Sequence, residues 1–170
     1  MERRLSTIMA ADLVGYSKLM ASDEDDVISR LKDVRAELID PAIANAGGRI
    51  VKTMGDGLLI EFSSPTAALK RAIEMQNSMQ IREAERNAAD RFRFRVGVNT
   101  GEVFIDGQDV LGDCVNIAAR LESIAPPGGV CISKQVYQHV VGQIAEPMTP
   151  LGPQNDTPWP AKGKEHSRPN

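Results

Sequence analysis

Apolar positions along this chain keep two different periods, and the switches between them mark its elements. A largely apolar run, Leu5-Ser6-Thr7-Ile8-Met9-Ala10-Ala11, has the length of a central strand and ends at Asp12, with Gly15 marking a sharp turn just beyond. The period then becomes helical. Ser22-Asp23-Glu24-Asp25-Asp26 offers capping oxygens and first-turn acids, and Val27, Leu31, Val34 and Leu38 follow along one stripe. Pro41 should kink or end this helix, residues 42–46 can add a turn, and Gly47-Gly48 stops it. Period two returns in Ile50-Val51-Lys52-Thr53-Met54 and in Gly57-Leu58-Leu59-Ile60. The Asp56-Gly57 pair between them is a hairpin signal, since glycine accepts the positive φ of a tight turn. A hairpin with a carboxylate at its tip is therefore expected.

Ser63-Ser64-Pro65 opens a second long helix, with Ala68, Ala72, Met75 and Met79 on its stripe and Leu69 and Ile73 beside it. Methionines at that spacing read as core filling. Residues 92–106 alternate again, Gly97 and Gly101 mark close backbone approach or bulging, and Asp106-Gly107 turns a second hairpin. From Gly112 the positions of Val115, Ile117, Ala118, Ala119, Leu121 and Ile124 are helical until Pro126-Pro127-Gly128-Gly129 breaks the pattern. Val130-Cys131-Ile132 is a short strand, and Ser133 caps a last helix reaching about Val141. The order β, α, hairpin, α, hairpin, α, β, α predicts an α+β sandwich, one mainly antiparallel sheet covered by helices, rather than a doubly wound parallel sheet. Prolines 147, 150, 153, 158, 160 and 169 crowd the polar stretch 146–170, which reads as an irregular tail following a domain of residues 1–145.

Composition narrows the classes without choosing one. With 170 residues, 25% charged, 42% apolar and a net charge of −3, the chain has the make-up of one ordinary globular domain, and nothing global points to a nucleic-acid polymer. The densest basic cluster, Arg91-Phe92-Arg93-Phe94-Arg95, alternates strictly, as a half-buried strand with arginines on its wet face would. The two cysteines, Cys114 and Cys131, form no C-x-x-C pair and neither lies near His139 or His166, so reduced cytosolic thiols are expected in place of a zinc site. The amino terminus lacks a signal-peptide pattern, and no stretch approaches the roughly 18 apolar residues of a membrane span. A cytoplasmic protein with no membrane insertion is the expectation.

Two groups of polar residues carry candidate chemistry. Asp12 and Asp56 are expected at adjacent strand ends with few Cys or His nearby, a donor set suited to hard cations such as Mg²⁺ that keep waters and are completed by substrate phosphates. Such a pair implies a nucleotide more than a structural metal. Asn116 and Arg120 lie four apart on an otherwise small, apolar helix and so share a face. An amide and a guanidinium there can meet a sugar oxygen and a phosphate, or merely form a hydrogen bond on the helix surface.

Taken together, four segments resemble the catalytic domain of class III adenylate and guanylate cyclases: Ala10-Ala11-Asp12-Leu13-Val14-Gly15-Tyr16-Ser17, Gly48-Arg49-Ile50-Val51-Lys52-Thr53-Met54-Gly55-Asp56-Gly57, Val96-Gly97-Val98-Asn99-Thr100-Gly101, and Gly112-Asp113-Cys114-Val115-Asn116-Ile117-Ala118-Ala119-Arg120-Leu121. The resemblance runs from about residue 4 to about residue 154 and implies a ferredoxin-like, cyclase-type sandwich. It implies further that Asp12 and Asp56, with the Leu13 carbonyl, hold two divalent cations, Mg²⁺ or Mn²⁺. Lys52 and Asp109 match the residues that read the purine, a combination suited to adenine, whereas guanylate cyclases generally carry glutamate at the Lys52 position. Asn116 and Arg120 match the pair that orients the ribose and stabilises the transition state. The implied reaction is attack of the ATP 3′-hydroxyl on the α-phosphate, giving 3′,5′-cyclic AMP and pyrophosphate. In this family the site lies between two subunits, so a homodimer is implied.

The match fails after Gln154. There the family continues with a phosphate-contacting lysine and a last strand, while this chain is proline-rich and offers only Lys162 or Lys164 without a defensible alignment. Three readings therefore stand side by side: an adenylate cyclase, a guanylate cyclase disfavoured by Lys52 and Asp109, and a nucleotide-binding or dimerisation module of weak or no activity.

Overall fold

A computed structural model describes residues 2–152 and the backbone of His166 and Ser167. The chain runs β1 (Glu2–Leu13), α1 (Tyr16–Ser22), α2 (Glu24–Val34), a π-helical turn (Arg35–Ile39), α3 (Asp40–Asn45), β2 (Arg49–Met54), β3 (Gly57–Phe62), α4 (Pro65–Arg82), β4 (Phe94–Asp106), β5 (Asp109–Leu111), α5 (Asp113–Ile124), β6 (Val130–Ile132), α6 (Lys134–Val140), β7 (Thr149–Pro150) and β8 (His166–Ser167). One sheet has the order β2-β3-β1-β4-β6-β8-β7, with β5 hairpinned onto β4. Its strands are antiparallel neighbours except β4 and β6, which run parallel because α5 carries the chain back between them. The expected α+β sandwich is the architecture found.

The sheet has two unlike faces. Met9, Ala11, Leu13, Ile60, Phe62, Val96 and Val98 point into the larger core, which α2, α3, α4 and α6 cover. Ile8, Ala10, Leu59, Val103 and Val110 point the other way, onto Cys114 and Ala118 of α5. Each fully buried aliphatic or aromatic side chain contributes roughly 1.5–3 kcal/mol by leaving water, so the two layers dominate the favourable side of folding. Three helices begin on capping oxygens: Asp23 Oδ1 accepts from Asp26 N (3.1 Å), Ser64 Oγ from Ala67 N (3.2 Å) and Ser133 Oγ from Val136 N (3.3 Å). Each such cap is worth about 1 kcal/mol.

Several local expectations change. Gly15 adopts φ 67° as the turn requires, but the short helix α1 follows it at once, where no apolar stripe announced one. As residues 42–46 allowed, the helix runs on to Asn45 before Gly47-Gly48 and does not end at Pro41. A wider π turn precedes it, with the Asp40 N–H reaching back to the Arg35 carbonyl, and this spacing of five lets the Arg35 guanidinium clasp the Asp40 carboxylate at 2.6 and 3.2 Å. The arginine–phenylalanine run is strand only from Phe94 onward. Phe92 is buried as expected, yet Arg91 donates to the carbonyls of Ala84 and Arg86 and Arg30 lies over the Phe92 ring at 3.9 Å, so these residues staple a loop instead of extending the sheet.

The stretch 146–170, expected to be irregular with no final strand, holds β7 and β8. These two-residue strands pair with each other, and β8 pairs with β6. Pro150 is accommodated because β7 is the outermost strand, where a missing N–H breaks no ladder. Lys162 and Lys164 lie outside the described residues. Among the described residues no helix is long and apolar enough to cross a membrane.

Candidate active site

The register of β1 decides which side chains reach α5. It pairs with β4 without interruption from Glu2 opposite Ile105 to Leu13 opposite Phe94, so Asp12 shares the face of Ile8 and Ala10 and stands opposite Arg95. On its other side Ala11 pairs with Leu58, which brings Asp12 level with the β2–β3 turn. Gly55, in place of the Gly57 expected, takes the positive φ (62°) in that turn, and Asp56 swings back so that its Oδ2 accepts a hydrogen bond from Leu13 N at 2.8 Å. The two aspartates expected at adjacent strand ends do converge. Burial lifts the Asp56 carboxyl above its ordinary range and the Asp12 charge adds to this, against the pull of the Leu13 and Asp56 N–H groups.

A cation would relieve that unfavourable pairing of carboxylates, and the donors, two carboxylates beside the Leu13 peptide, are all oxygen. They fit a divalent ion of the Mg²⁺ or Mn²⁺ kind. Among the described residues no group of three or more His, Cys, Asp or Glu is gathered as a metal cage, so such an ion would be completed by water and substrate phosphates.

A third carboxyl belongs to this end of the sheet and escaped the sequence reading. Glu122 is 8% exposed on the sheet-facing side of α5 and hydrogen-bonds Asp12. Burial, then that hydrogen bond and the Asp12 charge, push its carboxyl up to about 8, with Arg95 opposing. Burial and the neighbouring Asp12 both favour the protonated form of Glu122, which can donate to Asp12. Gly97 makes the approach possible: a Cβ built there would lie 2.3 Å from both the Ala118 carbonyl oxygen and the Glu122 nitrogen. Arg95 completes the corner by donating through Nε to the Ala125 carbonyl at 2.9 Å. The available signal was a lone acid in the stripe Cys114, Ala118, Leu121, Ala125.

Lys52 is aimed by a bulge. Ile50 pairs with Ile60 on the larger-core face, but the register shifts between Ile50 and Lys52, and Lys52 pairs with Leu59, a residue of the α5 face. Without the extra residue Lys52 would point into the opposite layer. Lys52 Nζ then meets the Asp109 carboxylate at 3.1 and 3.3 Å. Asp109 also accepts from Val110 N at 2.8 Å, and the Lys52 bond followed by this N–H holds its carboxyl below the ordinary range. The predicted purine-reading pair is thus in contact.

Asn116 and Arg120 stand elsewhere. Cys114, Ala118, Leu121 and Glu122 are buried on α5, which turns Asn116 and Arg120 to the side away from the sheet, one exposed and the other half-buried. The body of α5 separates them from Asp12 beneath it, so within one chain the two groups do not face a common point.

A sheet of this order, with a helix closing over an aspartate-bearing strand end, is the architecture of nucleotide cyclase domains. The adenylyl cyclase CyaB of P. aeruginosa superimposes with a TM-score of 0.83 at 20% identity, over 100% of this chain and 97% of that one, a likeness of fold. A Silicibacter pomeroyi structure described as an adenylate/guanylate cyclase/hydrolase gives 0.92 at 46% identity, over 100% and 99% of the two chains. Residues 3–163 match the adenylate and guanylate cyclase catalytic domain, past Gln154 where the resemblance was expected to fail, and the chain belongs to that family. A Rhizobium meliloti (strain 1021) protein described as putative adenylate cyclase 3 is 40% identical over 141 residues, 83% of this chain, and a Streptomyces coelicolor adenylate cyclase is 31% identical over 140 residues, 82% of it. The chain spans 24% and 35% of those two relatives.

Proposed function

We propose that this chain is an adenylate cyclase that converts ATP to 3′,5′-cyclic AMP and pyrophosphate as a cytoplasmic homodimer. The observation that carries the reading is the Lys52–Asp109 contact, a donor beside an acceptor. Adenine offers a ring-nitrogen acceptor next to an amino donor, the complement of that pair, whereas guanine reverses both. The relatives named adenylate cyclase support it.

Asp12 and Asp56, with the Leu13 carbonyl, would hold two divalent cations; when bound, these supply Lewis-acid activation of the 3′-hydroxyl and neutralise the triphosphate. The protein's own work is positional. Glu122 holds the Asp12 carboxylate from the α5 side, and the Leu13 N–H holds Asp56. The outward placement of Asn116 and Arg120 on α5 supports a site completed across a dimer, where they would orient the ribose and meet the charge developing on the α-phosphate of a nucleotide held by the partner's aspartates.

The test is cyclic nucleotide production by the purified chain with ATP or GTP and Mn²⁺ or Mg²⁺, beside Asp12→Ala and Lys52→Glu. Cyclic AMP that disappears with Asp12→Ala is expected, and Lys52→Glu should lower the preference for ATP. Dimers that bind ATP without forming product would refute the catalytic reading, and a preference for GTP would refute the purine assignment.

A further inference from the structure

Lys52 and Asp109 lie on the two least supported pieces of the sheet. β2 is the outer strand at one edge, interrupted by its bulge, and β5 is three residues long and pairs with β4. Ladder hydrogen bonds alone leave the gap between them adjustable. Arg49 spans it. From β2, three residues before Lys52, its Nη1 donates to the Gln108 carbonyl at 3.0 Å, and Gln108 immediately precedes Asp109. Its Nη2 donates to Glu61 Oε1 at 3.1 Å.

Glu61 is a firm anchor. It is 8% exposed and accepts from Ser6 Oγ at 2.7 Å and from Arg4 Nη2 at 2.9 and 3.0 Å, both residues of the central strand β1. One carboxylate facing two guanidiniums leaves Arg49 free to direct its second arm to the turn. A planar fork can satisfy carboxylate and carbonyl at once, which an ammonium on a flexible stem cannot.

We infer that Arg49 is a positioning residue for purine selection: by tying β2 to the β4–β5 turn it sets the spacing of Lys52 and Asp109. The inference rests on the reading of that pair as the purine-binding one. An edge strand free to move by a fraction of an ångström would still bind a triphosphate, but would discriminate less between adenine and guanine.

The experiment measures dissociation constants of 3′-deoxy-ATP and 3′-deoxy-GTP, which cannot cyclise, by calorimetry with Mn²⁺ for the wild type, Arg49→Met, Arg49→Lys and Lys52→Ala. Arg49→Met should reduce the adenine preference roughly three- to tenfold, the range of one or two charged hydrogen bonds partly open to solvent, and Arg49→Lys should lie between. Arg49→Lys keeps a cation beside Glu61, so it reports even if Arg49→Met folds poorly. A lower Tm with an unchanged preference in both variants would make Arg49 merely structural and overturn the inference. If Lys52→Ala abolishes the preference while both Arg49 variants keep it, this inference alone fails. A preference untouched by Lys52→Ala removes the purine-pair reading and this inference with it.

Discussion

Replacing Gly97 by alanine adds one methyl group at the point where α5 lies on the sheet. The new Cβ would stand 2.3 Å from the Ala118 carbonyl oxygen, 2.3 Å from the Glu122 nitrogen and 2.9 Å from the Glu122 Cα. All three are backbone atoms, so no side chain can rotate away, and restoring ordinary contact requires α5 to lift by about 1 Å. Leu121 and Ala118, both fully buried, would lose their packing along that helix. Overpacking usually costs about 1–3 kcal/mol, and a clash with rigid backbone on two sides belongs at the top of that range. For a domain of this size about 3 kcal/mol lowers Tm by roughly 6–12 °C.

Gly101 supplies the control. It lies on the same face of β4, four residues along, and a Cβ there would meet Cys114 Sγ at 3.6 Å and Cys114 Cβ at 3.7 Å, ordinary contact distances. Gly101→Ala should therefore melt within about 2 °C of the wild type, since the added methyl fills space at no steric cost. Thermal melts of the two variants by circular dichroism, without metal or nucleotide, make the comparison. Equal melting temperatures for Gly97→Ala and Gly101→Ala would refute the claim that backbone contact at Gly97 sets the height of α5.

The remaining predictions concern other groups. Glu122 has a folded value near 8 against an ordinary 4.5, so the unfolded chain releases this proton first. Its contribution to stability is complete below pH 4.5 and is lost as pH rises through about 8; metal-free Glu122→Gln should melt with a visibly flatter pH profile between 5 and 8.5, and parallel profiles would remove the assignment. Glu83 is 4% exposed and accepts from Arg30 at 2.7 Å and from Phe92 N at 2.8 Å, so Glu83→Ala should cost roughly 2–3 kcal/mol in urea unfolding; under 1 kcal/mol would show the staple to be ornamental. Cys114 is buried and its thiol is pushed up to about 12 by burial, with Asn99 opposing, so native protein at pH 8 should resist iodoacetamide there while unfolded protein labels at both Cys114 and Cys131. Rapid native labelling of Cys114 would contradict the buried, protonated thiol.

What the sequence made legible was whatever a single period announces. The run ending at Asp12 is buried on both faces and so reads as a nearly unbroken apolar strand, the hairpin around Asp56 is marked by its turn residues, and the stripes of α2, α4 and α5 each bury one face, so these types were readable. α1 has only Leu19 buried and carries no such stripe. The π turn answers a conflict between Pro41 and a continuing helix that pattern alone leaves unresolved. Gly97 and Gly101 looked alike because spacing shows that a side chain is missing, not what presses on the space. In the tail, strands of two residues are shorter than any period.

The site residues that went unread share a different cause. Glu122, Arg95 and Arg49 are ordinary charged residues by type, and their importance comes from what lies opposite them in register or across a helix interface. Asp12 faces Arg95 because β1 and β4 keep one register over their whole length; Glu122 reaches Asp12 because Gly97 lets α5 descend; Lys52 faces the α5 side because one extra residue at Val51 turns it over. Each is a long-range coincidence set by pairing, and a change of one residue in register would send these side chains into the opposite layer. The same logic separates the aspartates from Asn116 and Arg120. α5 must bury its small face to hold Glu122 against Asp12, and in doing so it directs the amide and guanidinium outward. A chain built this way supports its carboxylate corner from α5 and leaves Asn116 and Arg120 facing outward, the placement on which the proposed homodimer rests.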